Sequence, residues 1–231
     1  QRLLFFIIIF FQKNLLSDDI NFDNRVKSFI LDNPEIIIES LQKFEILKQK
    51  AEEQELKKVI SDNLDLIENS KGFLYDGNKF STNKIIEFFD YNCGYCKKSH
   101  KELTEMVLEN NDIKVIYVNL PVLSERSVEL SKLSLVIGNK NNDKFKKFHN
   151  FLLSSKKSPD DKDIMKFIQK IGLNYEELIN EAKKDEIQKE IDQNIDLANK
   201  LKIRGTPAFL INGELVSGFV GKKIIKSLLF N

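Results

Sequence analysis

The chain has 231 residues, 42% hydrophobic and 31% charged, a balance that supports a buried core and argues against a mostly disordered protein. Lys and Arg number 36 against 35 Asp and Glu. The resulting net charge of +1 removes any bulk electrostatic basis for a nucleic-acid or anionic-membrane partner and leaves recognition to local surfaces.

At the N-terminus, QRLLFFIIIFFQKNLLS sets Arg2 ahead of an uninterrupted apolar run from Leu3 to Phe11. A membrane span takes about 20 residues, whereas the apolar part of a secretory signal takes about 7–15. Residues 1–17 are therefore expected to be a signal peptide, or an N-terminal anchor if uncleaved, which would place the protein in the periplasm or cell envelope.

From 24 to 70 the period is helical. Val26, Phe29 and Ile30, then Ile37, Leu41 and Phe44, then Leu56, Ile60, Leu64 and Ile67 recur at spacings of three and four. Asn33 before Pro34 and Glu35 reads as a helix start. The apolar seam is too narrow to form a core alone, so this stretch must pack on the main domain or on copies of itself, as an oligomerisation stalk.

From Asn83 strands and helices alternate. Lys84 to Asp90 (KIIEFFD) and Ile113 to Leu120 (IKVIYVNL) are apolar runs of the kind found in buried strands, and CKKSHKELTEMVLENN between them has helical spacing. The two cysteines of the chain, Cys93 and Cys96, sit where the first strand turns into that helix. Unpaired N–H groups and the positive end of the macrodipole would stabilise a thiolate on Cys93, and Cys96, one turn on, is within reach of a disulfide. A structural zinc needs four ligands, and His100 and His149 do not complete a convincing set; a c-type haem would need His directly after Cys96, where Lys97 stands. A purely structural bridge over so short a loop would add little.

Between Ser124 and Lys200 lie amphipathic segments broken at Gly138 and at Ser158-Pro159, expected to cap the sheet. His149, among Phe145, Phe148 and Phe151, reads as a packed histidine; His100, one turn beyond Cys96, is expected at the surface, with stabilisation of a thiolate as its alternative. After them, Ala208 to Ile211 and Glu214 to Ser217 read as a hairpin through Asn212-Gly213, and Thr206-Pro207 at its mouth fits a cis-proline turn.

EFFDYNCGYC together with GTPAFLINGELVSG resembles the thioredoxin-fold disulfide oxidoreductases of the bacterial cell envelope, the DsbA-like superfamily. The Gly94-Tyr95 dipeptide and Thr206-Pro207 are also similar to those of the DsbC isomerases, and FILDNPEIIIESLQKFE resembles the N-terminal stalk of the ScsC-like branch. The resemblance implies an α/β thioredoxin fold over 72–231, with a helical insertion at about 124–200 and an N-terminal helical extension. It implies Cys93 as the exposed nucleophile, Cys96 as the buried resolving thiol and Glu87 as a buried acid that relays a proton to Cys96. A solvent-reaching carboxylate is the alternative for Glu87. Pro207 would be the cis-proline packed beside the dithiol and the Thr206 backbone would pair with an extended substrate, with Gly94 and Tyr95 completing the substrate site.

The expected activity is exported thiol-disulfide exchange, with no cofactor beyond the Cys93–Cys96 pair and no metal. Its partners would be unfolded or misfolded cysteine-containing proteins and a membrane redox protein that resets the dithiol. Two alternatives stand beside it: an oligomeric isomerase or reductase assembled through 24–70, and a non-catalytic peptide-binding chaperone.

Overall fold

The computed structural model of the protein describes residues 21–69 and 74–230, so the segment expected to be a signal or anchor lies outside the described residues. The chain divides into two compact units, Gln1–Glu55 and Leu56–Asn231. Among the described residues, no helix is long and apolar enough to cross a membrane.

In the first unit, helix α1 covers residues 21–32 and α2 begins at Glu35, continuing for 35 residues to Asn69. The helix start expected at Asn33, Pro34 and Glu35 is there, and Asn33 also closes α1: its backbone N–H and its side-chain amide both donate to the carbonyl of Phe29, at 3.0 and 2.8 Å. Large apolar side chains here face solvent: Phe22, Phe29, Leu41 and Phe44 are each more than half exposed.

In the second unit, the end of α2 packs Leu56, Val59, Ile60 and Leu64 against one sheet face, with Ile86, Phe88, Ile116 and Leu210. The sheet has five strands in the order β1-β3-β2-β4-β5: β1 Leu74–Gly77, β2 Lys84–Phe89, β3 Lys114–Asn119, β4 Ala208–Ile211 and β5 Glu214–Ser217. β2 runs parallel to β3 and antiparallel to β4, while β1 and β5 pair antiparallel at the edges. Strand β1 is short, and its LYDG sequence lacks the alternation that announces a strand, so the sequence reading passes over it. The hairpin expected at Asn212-Gly213 is present, with both residues at positive φ, 49° and 80°.

The helices are α3 Gly94–Glu109, α4 Glu125–Lys140, α5 Asn142–Ser154, α6 Asp161–Lys170, α7 Tyr175–Ala182, α8 Asp185–Lys200 and α9 Lys222–Leu229. Side chains of Ser124, Asn141, Asp160 and Asn174 accept from the third residue beyond each, which fixes where α4 to α7 begin. The break expected at Ser158-Pro159 is there; the one expected at Gly138 is not. Helix α4 runs through Gly138 and stops at Asn141. A Cβ at Gly138 would lie 1.9 Å from Leu74 Cδ2, so glycine stands here to admit strand β1 and not to end a helix. Ile85, Phe89, Val115, Tyr117, Phe209 and Ile211 pack on the second sheet face with α3 to α5, giving the two-sided burial that such apolar strands require.

Candidate active site

The register pairs Phe88 with Ala208, so the chain leaving β2 and the chain entering β4 emerge side by side at one end of the sheet. Beyond β2 the backbone turns, with the Cys93 N–H donating to the Asp90 carbonyl at 3.1 Å. Cys93 becomes the N-cap of α3, in extended conformation, and its side chain makes no cap bond. The thiol instead donates to the Thr206 carbonyl at 3.3 Å. Thr206-Pro207 is a cis peptide, and the Pro207 carbonyl accepts from Gly218 N–H at 2.9 Å.

Both cysteines are free thiols and differ sharply in environment. Cys93 is pulled down to about 5, first by a hydrogen bond from Cys96, then by the Thr206 side chain and the N–H groups of Cys96 and Tyr95, all against the cost of partial burial. Cys96 is pushed far up by burial first, then by Cys93 and the charge of Glu87. The expected exposed nucleophile needs correcting. Cys93 is only 7% exposed, because Thr206 lies against it, although Cys96 at 0% is more deeply covered still.

Glu87 lies on the α3 side of β2, 0% exposed, which removes the solvent-reaching alternative. Neither carboxylate oxygen has a hydrogen-bond partner among the described residues. Burial raises its pKa to about 8; Cys93 adds to the rise, and the nearby Ser99 hydroxyl opposes it without making a regular hydrogen bond. The site thus holds a carboxyl group poised near neutrality beneath two thiols of opposite character.

Gly94 opens α3 with free space around it, and Tyr95 is 64% exposed. Tyr95 stacks on Phe219, with ring centroids 6.4 Å apart, and the Lys98 ammonium lies 4.3 Å from the same ring. Sequence reasoning passes over Phe219 and Lys98, since their approach depends on the β4–β5 hairpin folding back on α3. The histidines lie away from the thiols in role. His149 is buried within reach of Phe89, Tyr91, Tyr117 and Phe145, with Nδ1 3.0 Å from the Tyr91 hydroxyl. His100, expected at the surface, is 5% exposed because α5 packs on α3; its Nε2 is 3.0 Å from Asn150 Oδ1. Burial lowers both pKa values. Among the described residues, no cluster of three His, Cys, Asp or Glu side chains could hold a metal.

Residues 84–229 match the family of the DSBA-like thioredoxin domain, and the chain belongs to that family. Disulfide bond formation protein D of Bacillus subtilis is 24% identical over 159 residues, spanning 63% of this chain and 70% of that protein. The Na(+)/H(+) antiporter NhaA 3 of Salinispora tropica is 19% identical over 135 residues, and the match spans only 20% of that protein. Among solved structures, the thiol-disulfide exchange protein α-DsbA2 of Wolbachia pipientis is 27% identical, with a TM-score of 0.68 over 77% of this chain and 95% of that one. A linker-deletion variant of Proteus mirabilis ScsC is 25% identical, with a TM-score of 0.68 over 88% of this chain and 89% of that one. The fold is therefore the thioredoxin-like DsbA fold, and the enzyme class is protein disulfide oxidoreductase.

Proposed function

We propose that this member of the DsbA-like family is an exported enzyme that exchanges disulfides with unfolded or misfolded envelope proteins through a mixed disulfide at Cys93. The observation that carries this is the contrast between the cysteines. Cys93, at a helix N-terminus where the Cys96 thiol and the N–H groups of Tyr95 and Cys96 meet its sulfur, is held as a thiolate near neutral pH, while Cys96 is kept as a thiol.

In the oxidising direction a substrate thiolate attacks Cys93 Sγ of the Cys93–Cys96 disulfide. The S–S bond breaks, its electron pair goes to Cys96, and Cys96 takes a proton, which Glu87 supplies and later regains. A second substrate thiolate then attacks the substrate sulfur of the mixed disulfide. Cys93 leaves as thiolate, the substrate leaves as disulfide, and two electrons have moved to the enzyme. A dithiol whose thiolate is this well stabilised favours its reduced form, which makes the disulfide oxidising. A membrane redox partner would remove those electrons again. Thr206 pairs with the extended substrate segment at the cis-proline turn, with Gly94 leaving room for it and Tyr95 beside it.

A second reading, disulfide isomerisation by an oligomer, draws on the first unit. Its exposed Phe29, Leu41 and Phe44 form the kind of apolar surface that monomers seldom leave uncovered. Copies joined there would set several Cys93 sites around one misfolded chain, and repeated attack would shuffle its bonds. The test is parallel assay of insulin reduction, oxidation of a reduced dithiol peptide and recovery of a scrambled-disulfide protein, with solution mass measured alongside. Oxidation alone selects the oxidase; recovery of the scrambled protein by an oligomer selects the isomerase; the absence of all three activities leaves a peptide-binding chaperone.

A further inference from the structure

The chain leaving β2 is held by a carboxylate that the exchange chemistry does not use. Asp90 is 0% exposed. One oxygen accepts the Asn92 N–H at 2.8 Å, and its backbone carbonyl accepts Cys93 N–H, so the residue closes the turn that carries Cys93. Its other oxygen accepts two further N–H groups, from Val122 and Leu123, each at 3.0 Å. Those belong to the loop after β3, just past the last rung between the strands, Leu120 N–H to the Phe89 carbonyl at 2.8 Å. The same turn is tied again to the start of α4 by the Asn92 side-chain amide, which donates to Ser124 and Ser127 hydroxyls at 3.1 and 3.0 Å.

Strand order gives this clamp its leverage. β2 lies between β3 and β4, so the turn after β2 is anchored on one side to the loop after β3 and faces Thr206, before β4, on the other. Where the anchored side sits determines how squarely the first N–H groups of α3 point at Cys93 Sγ, and it is these donors that favour the thiolate. We propose that Asp90 is the positioning residue of the Cys93 thiol, a role that rests on Cys93 being the exchanging sulfur. Asn in its place would present an amide donor to one of the two sides, where an N–H already points, and that side would open.

The test compares Cys96→Ala protein with the same protein carrying Asp90→Asn, both checked for folding by circular dichroism. Two quantities are read: the rate at which each captures a disulfide-bearing peptide, and the thiolate absorbance of Cys93 against pH. The clamp predicts at least a tenfold slower capture and a Cys93 pKa that moves up towards the ordinary thiol value. Loss of a nearby negative charge alone would move it down, and a purely structural role would move neither once the protein is folded. A Cys93 pKa that falls or stays, with capture within twofold of the parent, overturns the inference. If the Cys96→Ala parent captures nothing, the assignment of Cys93 has failed and this role falls with it; if only the Asp90→Asn protein matches its parent, Asp90 alone is wrong. Should Asp90→Asn not fold, amide exchange in the unmodified protein decides: joint protection of Asn92, Val122 and Leu123 by at least 100-fold supports the clamp, and exchange at free-chain rates overturns it.

Discussion

The Cys93 thiol donates to the Thr206 carbonyl at 3.3 Å across 113 positions of sequence. The contact joins the N-terminus of α3 to the turn before β4, and so brings both halves of the exchange site together.

The two cysteines should behave differently when each is removed. Cys96→Ala is expected to accumulate mixed disulfides with substrate proteins, because the captured Cys93 then has no resolving thiol. Cys93→Ala should form few, since Cys96 is fully buried and held protonated. Non-reducing gels of the two variants check this, and equal trapping would refute the assignment.

Glu87→Gln keeps the size of the buried side chain and removes its proton. Attack of a substrate thiolate on the oxidised enzyme, the step in which Cys96 takes the Glu87 proton, should slow by roughly tenfold or more, short of the full 10²–10⁴ of general acid–base catalysis because water can substitute in part. The inflection near pH 8 in the rate profile should vanish. Stability offers a second check. A carboxyl raised from its usual range to about 8 adds stability that is complete below the unfolded value near 4.5 and is lost as pH rises through 8, so the wild type should weaken over that window and the variant should weaken less. Identical stability profiles in urea unfolding would contradict it.

Cys93 gives the opposite sign, and only in the reduced protein. A thiol lowered from about 9 to about 5 adds stability that is complete above the unfolded value and disappears as pH falls through the folded one. The stability of reduced relative to oxidised protein should therefore climb between pH 5 and pH 9, the larger, burial-driven part of the Glu87 shift being common to both forms. Paired urea titrations measure it; a difference that stays flat would mean that the thiolate is not specially held.

Leu41 and Phe44, each 60% exposed on α2, test the oligomeric reading. Replacing both with Lys should lower the solution mass measured by light scattering to that of a single chain. Recovery of a scrambled protein should fall several-fold while oxidation of a small dithiol peptide is unchanged. A parent protein that is already monomeric at micromolar concentration removes the isomerase reading.

Strands β2, β3, β4 and β5 and the cysteine-bearing helix were legible because their cues are local: apolar runs bounded by turn residues, and Asn212-Gly213 between two of them. β1 was not, because four residues at a sheet edge carry too little pattern and are held in place by pairing with β3. Gly138 misled for a related reason. Glycine stops helices through its conformational freedom, but here its missing side chain admits Leu74 from a remote strand. His100 misled because its burial comes from α5 packing over α3, which no spacing within α3 announces.

By itself the sequence determined that two cysteines stand at a helix start, with an acidic residue on the strand before them and a Thr-Pro pair before a hairpin, since residue type and near-neighbour spacing are properties of the chain alone. The tertiary structure decided the rest. Thr206 reaches Cys93, Glu87 loses all contact with solvent, and Asp90 joins two loops only once β3, β2 and β4 lie side by side. Burial and the distance between remote groups are what shift a pKa or orient a thiol, and neither exists until the sheet has formed.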